Sequence, residues 1–270
     1  FISRSSDILP GQGEYERGIA CWLNAWVGPR VQGYVQRLER LVQPAPVHVM
    51  QSSAFTIRAD QAAKRAVNLL LSGPAGGLMG ARRIGDEVGR PQLLTFDMGG
   101  TSTDVALIDG QVKLTSEGSI GPYPVAVPMV DMHTIGAGGG SIARLDEGGM
   151  LVVGPESAGA DPGPACCARG GRLPTVTDAN LVLGRLRPGA FLGGGMQLDM
   201  AAAQTAVDRL AAQMQLSRQR AAQGIIDLAN EHMAQALRVI SVQRGVDPVA
   251  YTLTAFGGAG GLHVCALADA

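Results

Sequence analysis

The stretch LLTFDMGGTSTDVALI, residues 93–108, decides the fold of this chain. Two apolar runs flank a short loop that contains two adjacent glycines, two threonines and a serine, with an aspartate at each end. Short apolar runs bounded by turn residues are typical of buried strands, and they predict strands over 92–98 and 104–109. The open question is whether the loop between them is an ordinary hairpin turn or a loop that holds a phosphate.

The loop has the chemistry of an anion site. Gly99 and Gly100 allow positive φ and a close approach of the backbone to a ligand, and successive N–H groups in such a turn form an anion-binding concavity. Asp97, at the strand end, is placed to hold a Mg²⁺-bound water beside a phosphate. Further donors come from the hydroxyls of Thr101, Ser102 and Thr103. The alternative is a hairpin whose glycines serve only the turn geometry, and the loop alone does not decide between the two.

Three further glycine-rich loops favour the phosphate interpretation. Glycine accounts for 38 of the 270 residues, and many of these glycines are clustered next to a predicted strand or helix end. One such loop is weak support, but several in one domain are hard to assign to turns alone. They are SGPAGG (72–77), IGAGGGS (135–141) and AFGGAGGLHV (255–264).

Composition bounds the class of protein. The chain is 46% hydrophobic and 17% charged, which is ordinary for a globular protein, and its net charge of −1 argues against nucleic acid or a membrane surface as a partner. We find no signal peptide and no long apolar segment. The four cysteines lack zinc-type spacing, which favours a reducing, cytoplasmic location. Because the chain begins without methionine and stops inside a predicted helix, we expect it to be a fragment of a longer protein.

The first 90 residues are predicted to be mainly helical. Apolar and aromatic residues at helical spacing over 13–42 indicate two helices, broken near Gly28–Pro29. A strand is expected at 46–52. Residues 60–88 are interpreted as a helix, a loop at 72–77 and a second helix from about Leu78.

The remainder predicts a mixed α/β arrangement. A third strand is expected to run to about Ser116, and residues 117–198 form a long Gly- and Pro-rich region with a hairpin turn at Gly148–Gly149. Helical periodicity resumes at Asp199, and Gly245 is the expected C-terminal stop. The chain closes with a strand, a glycine loop and a helix.

Several motifs together resemble one protein family. They are TFDMGGTSTDVAL (95–107), DMHTIGAGGGSIA (131–143), SAGADPGPAC (157–166), PTVTDANLVLGRL (174–186) and AFGGAG (255–260). From about Glu14 to its end the chain is similar to the hydantoinase A/5-oxoprolinase family. That family includes N-methylhydantoinase A subunits, ATP-dependent oxoprolinases and acetone-carboxylase β-type subunits.

The resemblance implies an α/β fold of the actin-like, ribonuclease H-like ATPase type, with two halves and a nucleotide in the cleft between them. Residues 1–72 would be the tail of the first half and 73–91 a connecting helix. Residues 92–270 would form the second half-domain, with the Gly/Pro-rich insertion at about 117–198. The first phosphate-binding hairpin belongs to an N-terminal ATPase half that is missing here, so the fragment alone should bind ATP weakly and lack activity.

The resemblance also assigns roles. The loop after Asp97 would be the second phosphate-binding hairpin. Asp97, Thr101 and Thr103 would be catalytic, with Asp97 organising Mg²⁺ and the threonines donating to phosphate oxygens. The ATP-binding backbone would comprise Gly99, Gly100, Ser102, Gly257, Gly258 and Gly260, the last three in the adenosine-side loop.

The implied reaction is the ATP-dependent opening of a small cyclic amide, hydantoin or 5-oxoproline, by phosphorylation of its carbonyl oxygen. A B-type hydantoinase subunit or domain would complete the ring opening. One alternative is an acetone-carboxylase-type subunit that phosphorylates a ketone enol or bicarbonate. Another, from a different class, is a nucleotide-gated interaction module of the Hsp70/actin type.

Other polar residues are candidates for separate roles. Asp131 and His133 would point to one face of a strand, where they could ligate a second divalent metal or orient substrate; the alternative is that both satisfy backbone groups. Asp178 is expected to N-cap a short helix. His263 is expected to cap a helix after the adenosine-side loop.

Overall fold

The computed structural model describes residues 1–11, 13–120 and 123–270 of an α/β chain. The chain divides into two compact units. The first comprises residues 1–91 and 108–131, and the second comprises residues 92–107 and 132–270. The turn at 99–102 and the other glycine-rich loops at 135–141 and 255–264 all belong to the second unit.

The helices and strands are numbered in chain order. The α-helices are α1 (Ser5–Ile8), α2 (Glu14–Val42), α3 (Ala59–Ala62), α4 (Ser72–Glu87), α5 (Val176–Val182), α6 (Met200–Met214), α7 (Arg218–Gln243) and α8 (Val264–Ala268). The strands are β1 (His48–Met50), β2 (Thr56–Arg58), β3 (Gln92–Met98), β4 (Thr103–Asp109), β5 (Gln111–Val112), β6 (Leu114–Thr115), β7 (Gly118–Ile120), β8 (Tyr123–Val125), β9 (Met129–Val130), β10 (His133–Ile135), β11 (Ser141–Leu145), β12 (Leu151–Ser157) and β13 (Thr252–Phe256). Short 3₁₀ segments cover Ala66–Leu69, Ala165–Cys167, Pro188–Gly194, Pro248–Ala250 and Gly260–Leu262.

A sheet built on the two predicted strands carries the glycine loops. Its order is β10-β4-β3-β13, and β5 pairs with β4. Strand β13 runs parallel to β3 and places Phe256 opposite Asp97. Because parallel strands end at the same edge of a sheet, the turn after β3 and the loop after β13 lie at one edge. The strand prediction for 92–98 is confirmed, and the following strand begins one residue earlier than predicted, at Thr103.

The core of the second unit lies between this sheet and α7. Leu94, Phe96, Met98 and Val105 bury their side chains from the sheet. Helix α7 presents apolar residues at helical spacing, which form one continuous buried face. That face comprises Ile225, Ile226, Ala229, Met233, Ala236, Leu237 and Ile240. The predicted helices after Asp199 and the stop at Gly245, whose φ is +64°, are confirmed.

The predicted break at Gly28–Pro29 is wrong. Helix α2 runs without interruption through Pro29, because the same face stays buried on both sides of it. Ala20, Leu23 and Gly28 precede the proline on that face and Val35 follows it. Burial of a continuous face outweighs the local cost of proline, which is about 3 kcal/mol in a helix interior.

The predicted loop at 72–77 is also wrong. Helix α4 begins at Ser72 and takes the whole SGPAGG segment into its first turns. Pro74 lies in the first turn, where a missing N–H costs nothing because those donors have no partner within the helix. Ala75 is fully buried, so tertiary packing favours helix here despite the glycines. The segment 60–71 holds only the short helix α3 and a 3₁₀ segment.

The region after Asp109 is more regular than predicted. The expected single strand to Ser116 is two short strands, β5 and β6, interrupted at Lys113. Within 117–198, strands β11 and β12 form the predicted hairpin around Gly148–Gly149, and Gly149 has φ +80°. Among the described residues, no helix is both long and apolar enough to cross a membrane.

Asp178 plays a different part from the predicted N-cap. Thr175 is the N-cap of α5, and Asp178 completes a capping box with it. The Asp178 carboxylate is fully buried and accepts hydrogen bonds from the N–H groups of Ala165 (3.2 Å), Cys166 (2.8 Å) and Thr175 (3.0 Å) and from the Thr175 hydroxyl (2.8 Å). It therefore fixes the 165–167 segment to α5.

Asp178→Ala is expected to lower the free energy of unfolding by about 3 kcal/mol, because it leaves several buried donors unpaired. The matched control is Asp199→Ala, which removes an N-cap with one hydrogen bond, from Ala202 (2.9 Å). The control should cost only about 1 kcal/mol. Urea unfolding of both variants measures the difference, and equal losses would contradict the assigned role of Asp178.

Candidate functional site

The turn between β3 and β4 presents unpaired backbone donors. Gly99 N–H closes the turn on the Ser102 carbonyl at 3.0 Å. Within the described part of the chain, the N–H groups of Gly100, Thr101 and Ser102 donate to no other group. Gly100 and Thr101 are also exposed. These N–H groups remain free to bind an anion, as a nest of successive amides does.

The 136–140 loop, between β10 and β11, orients the turn. Gly139 N–H donates to the Gly99 carbonyl (2.9 Å), and Gly140 N–H donates to the Gly100 carbonyl (2.6 Å). In a trans peptide the carbonyl and the following N–H point in opposite directions. The N–H groups of Gly100 and Thr101 therefore point away from the 136–140 loop.

This contact depends on glycine. A Cβ on Gly138 would lie 2.7 Å from the backbone N and C atoms of Thr101. A Cβ on Gly140 would lie 2.8 Å from the Gly100 carbonyl oxygen. Real Cβ atoms do not approach backbone this closely, so the two loops pack backbone to backbone because neither glycine carries a side chain.

The predicted catalytic threonines have different environments. The Thr103 side chain is fully buried, and its hydroxyl donates to the Ala137 carbonyl at 2.5 Å. This hydroxyl anchors the start of β4 to the 136–140 loop. Thr101 is exposed on the turn itself. Thr101 is therefore the better-placed hydroxyl for a ligand, and the phosphate role of Thr103 stays a prediction.

Asp97 lies against the loop that follows β13. Gly257 has φ +82°, and a Cβ there would lie only 1.9 Å from Asp97 Oδ1. Ala259 N–H also donates to the Met98 carbonyl at 3.0 Å. Burial, and secondly the neighbouring Asp104 carboxylate, raise the pKa of Asp97 above its ordinary value. The structure thus brings Asp97 and the 257–260 loop together at the edge of the sheet.

A cavity of about 660 Å³ opens between the turn and the 257–260 loop. Gly99 and Gly100 line it on one side and Gly258 on another. None of its remaining lining residues was predicted individually, although Gly139 and Ala259 lie in two of the predicted glycine loops. The others come from α5, the segment after it and the end of the 257–262 region. The full set of remaining lining residues is Gly139, Thr177, Asn180, Arg185, Leu186, Arg187, Ala190, Phe191, Ala259 and Leu262. Among these lining residues the only charged side chains are arginines, so the cavity suits a polyanion.

Three predicted binding residues lie beside the cavity without lining it. Ser102 accepts the closing hydrogen bond of the turn through its carbonyl. Gly257 faces Asp97, and Gly260 is buried against Phe96 and Ala255, where a Cβ would meet atoms at 3.3–3.4 Å. The ligand roles of these residues stay predictions, while their positions next to the cavity are those that the glycine pattern suggested.

A buried polar chain supports one wall of the cavity. The His263 ring donates or accepts at Nδ1 with Asn230 Oδ1 (2.6 Å) and at Nε2 with Asn180 Nδ2 (3.4 Å). Because an amide oxygen only accepts and an amide nitrogen only donates, the compatible form is neutral histidine with its proton on Nδ1. His263 is the N-cap residue of α8, but its side chain makes no cap hydrogen bond, so the capping interpretation is wrong.

The pair predicted to bind metal is not on one strand. His133 begins β10, opposite Val105. Asp131 precedes that strand, belongs to the first unit and donates its N–H to the Lys113 carbonyl at 2.9 Å. Among the described residues there is no group of three or more His, Cys, Asp or Glu that could hold a metal ion. A metal role for Asp131 and His133 stays a prediction.

Free backbone donors, a glycine-dependent cradle and an arginine-lined cavity thus lie together in the second unit, and their chemistry suits an anion. Comparison with known proteins identifies the family. The family model described as hydantoinase/oxoprolinase matches residues 17–270. The chain therefore belongs to the hydantoinase/oxoprolinase family, as its motifs predicted.

Individual relatives agree with this assignment. The α subunit of caprolactamase from Pseudomonas jessenii is 40% identical over 275 residues, covering 100% of this chain and 40% of the relative. Its crystal structure, described as an ATP-dependent caprolactamase, superposes with a TM-score of 0.81. A 5-oxoprolinase of Pestalotiopsis fici is 38% identical, covering 100% of this chain and 22% of the relative.

A nucleotide-free acetone carboxylase, from a study of ATP-dependent acetone carboxylation, superposes with a TM-score of 0.87 at 30% identity, covering 98% of this chain and 38% of that one. The α/β fold is therefore shared with both solved relatives. This chain spans about 40% of the caprolactamase subunit and about a fifth of the oxoprolinase.

The surroundings of His263 predict a pH effect on stability. Burial, and secondly the positive charge of Arg185, lower the pKa of His263 to about 4, against an ordinary value of 6.5. Below pH 6.5 His263 binds a proton in the unfolded chain, whereas in the folded chain it binds one only below about pH 4. Stability is therefore lost as the pH falls through this window, by about 3 kcal/mol in total.

Urea unfolding at pH 7 and pH 4.5 measures this loss. His263→Gln, which cannot titrate, should remove about 2 kcal/mol of the pH-dependent difference. His48→Gln, at an exposed histidine, is the control and should leave the difference unchanged. A wild-type pH dependence in the His263 variant would show that this ring is not held neutral.

Proposed function

We propose that this protein is the ATP-using component of an enzyme that opens small cyclic amides. The observation that carries the proposal is that one cavity is lined by Gly99 and Gly100 on one side and by the 257–262 region on the other. Family members include caprolactamase and 5-oxoprolinase, and the solved caprolactamase is described as ATP-dependent. These relatives are named for different rings, so they indicate a cyclic amide and not one particular ring.

In the proposed complex the terminal phosphates of ATP bind the free N–H groups of the 99–102 turn and the Thr101 hydroxyl. The adenosine lies along the 257–260 loop, and Arg185 and Arg187 neutralise phosphate charge. This arrangement corresponds to the second half of an actin-like ATPase, with the region 117–198 as its insertion. The other half, with its own phosphate hairpin, would come from a further part of the full-length protein.

The surroundings of Asp97 fit a divalent cation. The Asp104 carboxylate is close enough for its charge to help raise the pKa of Asp97, after the larger effect of burial. A cation between such carboxylates and a phosphate relieves that repulsion, and Mg²⁺ usually takes only one or two protein carboxylates beside phosphate oxygens and waters. Asp97 would hold Mg²⁺ or its water, and Mg²⁺ would supply charge neutralisation at the phosphates.

The proposed reaction begins with phosphoryl transfer at the turn. The carbonyl oxygen of the cyclic amide attacks the γ-phosphorus, the bond from that phosphorus to the bridging oxygen breaks, and ADP leaves. Water adds to the activated carbon, the ring C–N bond breaks, and the nitrogen takes a proton. A second water hydrolyses the resulting acyl phosphate to carboxylate and inorganic phosphate. The backbone donors of the turn lower the barrier to the first step by positioning and by stabilising charge.

An acetone-carboxylase-type reaction is the second candidate, because the acetone carboxylase structure superposes with a TM-score of 0.87. The nucleotide site would be the same, and the acceptor would be a ketone enol or bicarbonate. In either case a partner subunit or domain completes the reaction; the caprolactamase relative is itself named as an α subunit. A B-type hydantoinase subunit is the partner that the cyclic-amide proposal requires.

Asp97→Asn in the full-length protein with its partner should abolish ring-dependent release of ADP and phosphate. Loss of a carboxylate whose pKa is raised removes repulsion from Asp104, so thermal stability should be unchanged or higher. The assay compares hydantoin, 5-oxoproline, a neutral lactam, and acetone with bicarbonate. Asp227→Asn, at an exposed aspartate of α7, is the control and should keep full activity. Wild-type turnover by the Asp97 variant would refute the proposal, and turnover only with acetone and bicarbonate would favour the second candidate.

Gly257→Ala should weaken nucleotide binding by about tenfold or more, since its Cβ requires Asp97 to move and the residue must hold φ +82°. Gly261→Ala is the matched control, because its Cβ meets nothing within 4 Å and its φ is not positive. Titration with a fluorescent ATP analogue measures both. Equal affinities for the two variants would place the nucleotide elsewhere.

A further inference from the structure

A second, smaller cavity adjoins the nucleotide cavity. It has a volume of about 240 Å³ and shares three lining residues with the larger one: Gly100, Thr177 and Phe191. The two cavities therefore meet at the turn that the proposed function assigns to the terminal phosphate. A group bound in the small cavity would lie beside the phosphorus that is transferred. We call this space the acceptor chamber.

The walls of the acceptor chamber are mostly apolar and carry one charged side chain. Gly140, Gly159, Ala160, Pro164 and Met196 contribute no charge. Arg169 is the only charged residue among the described residues that line the chamber. A volume below the roughly 300–1,000 Å³ of drug-sized sites suits a ligand of few heavy atoms.

The Arg169 guanidinium is available to a ligand. Its side chain is exposed and forms no ion pair or hydrogen bond with any residue of the described ranges. Its neighbour Cys167 also lines the chamber, and burial raises the pKa of that thiol, so at neutral pH the thiol carries no charge that would repel an anion. A guanidinium that makes no hydrogen bond or ion pair with the described part of the protein and lines a largely apolar space is a good site for a carboxylate.

The segment 165–171, which carries Arg169, is held in place at both ends. Asp178 binds the N–H groups of Ala165 and Cys166, which holds the start of the segment that carries Arg169. At its far end, a Cβ on Gly171 would lie 2.1 Å from the Gly163 carbonyl oxygen, so the chain returns tightly upon itself. The chamber wall is thereby supported from within the second unit.

We propose that the acceptor chamber binds the substrate ring and that Arg169 selects rings that carry a carboxylate. The carboxylate pairs with the guanidinium, the ring carbons lie against the apolar wall, and the ring carbonyl faces Gly100. This inference rests on the proposed function for the phosphate at Gly100, but the binding of a carboxylate by Arg169 does not. The substrate class is therefore a small acidic cyclic amide of the 5-oxoproline type, in preference to a neutral lactam.

The test compares two rings that differ only in the carboxylate, 5-oxoproline and 2-pyrrolidinone. Calorimetric titration of the full-length protein with its partner, with a non-hydrolysable ATP analogue present, should show tighter binding of 5-oxoproline. Arg169→Gln should weaken 5-oxoproline binding by at least about tenfold and leave 2-pyrrolidinone unchanged. Arg169→Lys should retain part of the affinity, because it keeps the charge and loses the two-pronged geometry.

Arg172→Gln is the matched control, since Arg172 is an exposed arginine of the same segment that does not line the chamber. It should change neither affinity. Equal weakening of both rings by Arg169→Gln, no weakening of either, or a wild-type protein that binds neither ring would overturn the inference.

Nucleotide affinity measured in the same samples separates the two proposals. If Arg169→Gln loses 5-oxoproline and keeps the ATP analogue, both proposals are supported. If the wild type binds 5-oxoproline through Arg169 but no ATP analogue, the proposed function fails while the assignment of Arg169 stands. Bicarbonate competing with 5-oxoproline only when Arg169 is present would indicate a carboxylase acceptor at the same guanidinium and would overturn the ring assignment.

Discussion

The contact between two glycine loops is the constraint on which the site depends. Gly139 and Gly140 donate hydrogen bonds from their N–H groups to the carbonyls of Gly99 and Gly100. The carbonyls of the turn are thereby paired, while the N–H groups of Gly100 and Thr101 stay without a hydrogen bond among the described residues. The peptide plane then dictates that those donors point away from the 136–140 loop. Without the 136–140 loop, a hairpin with the same residues would lack the hydrogen bonds that orient its amides in one direction. The arrangement requires a missing Cβ at Gly138 and Gly140, since side chains there would overlap the turn backbone.

The same contact is tied to the rest of the second unit through α5. The Gly139 carbonyl accepts from both the N–H and the hydroxyl of Thr177, each at 2.8 Å. One residue later, Asp178 binds the 165–167 segment. A single short helix therefore fixes the loop behind the turn and also the segment that carries Arg169. Its own start is fixed by the Thr175 capping box, so a local sequence signal, T-V-T-D, determines the position of two distant loops.

The sequence predicted the backbone of this site better than its side chains. Strands 92–98 and 104–109 followed from apolar runs, and the turn between them followed from Gly99, Gly100 and the flanking hydroxyls. The predicted break at Pro29 and the predicted loop at 72–77 are wrong because burial of a helix face outweighs the local preference for a break. That burial depends on tertiary partners, which the local sequence does not specify. Arg169 and Phe191 line the cavities but carried no signal, and Arg185 lay in the quoted motif 174–186 without a predicted role. Only the long-range course of the chain brings residues 140, 169 and 191 to Gly100.

Charge is distributed unevenly around the turn, and this distribution affects the order in which ligands would bind near Gly100. Asp97 and Asp104 place negative charge behind the turn, where burial and mutual repulsion make ionised Asp97 costly without a cation. The lining of both cavities carries only positive charge, from Arg185 and Arg187 on the nucleotide side and Arg169 on the acceptor side. A polyphosphate with its cation would compensate both groups of charges, since the phosphates pair with the arginines and the cation pairs with the aspartates. Either ligand alone would leave one of these groups uncompensated. An acidic acceptor at Arg169 would gain from the same layout, because the cation offsets the repulsion between its carboxylate and the phosphates. Under the proposed function, this balance of charge would favour joint binding of nucleotide and cation before an acidic acceptor.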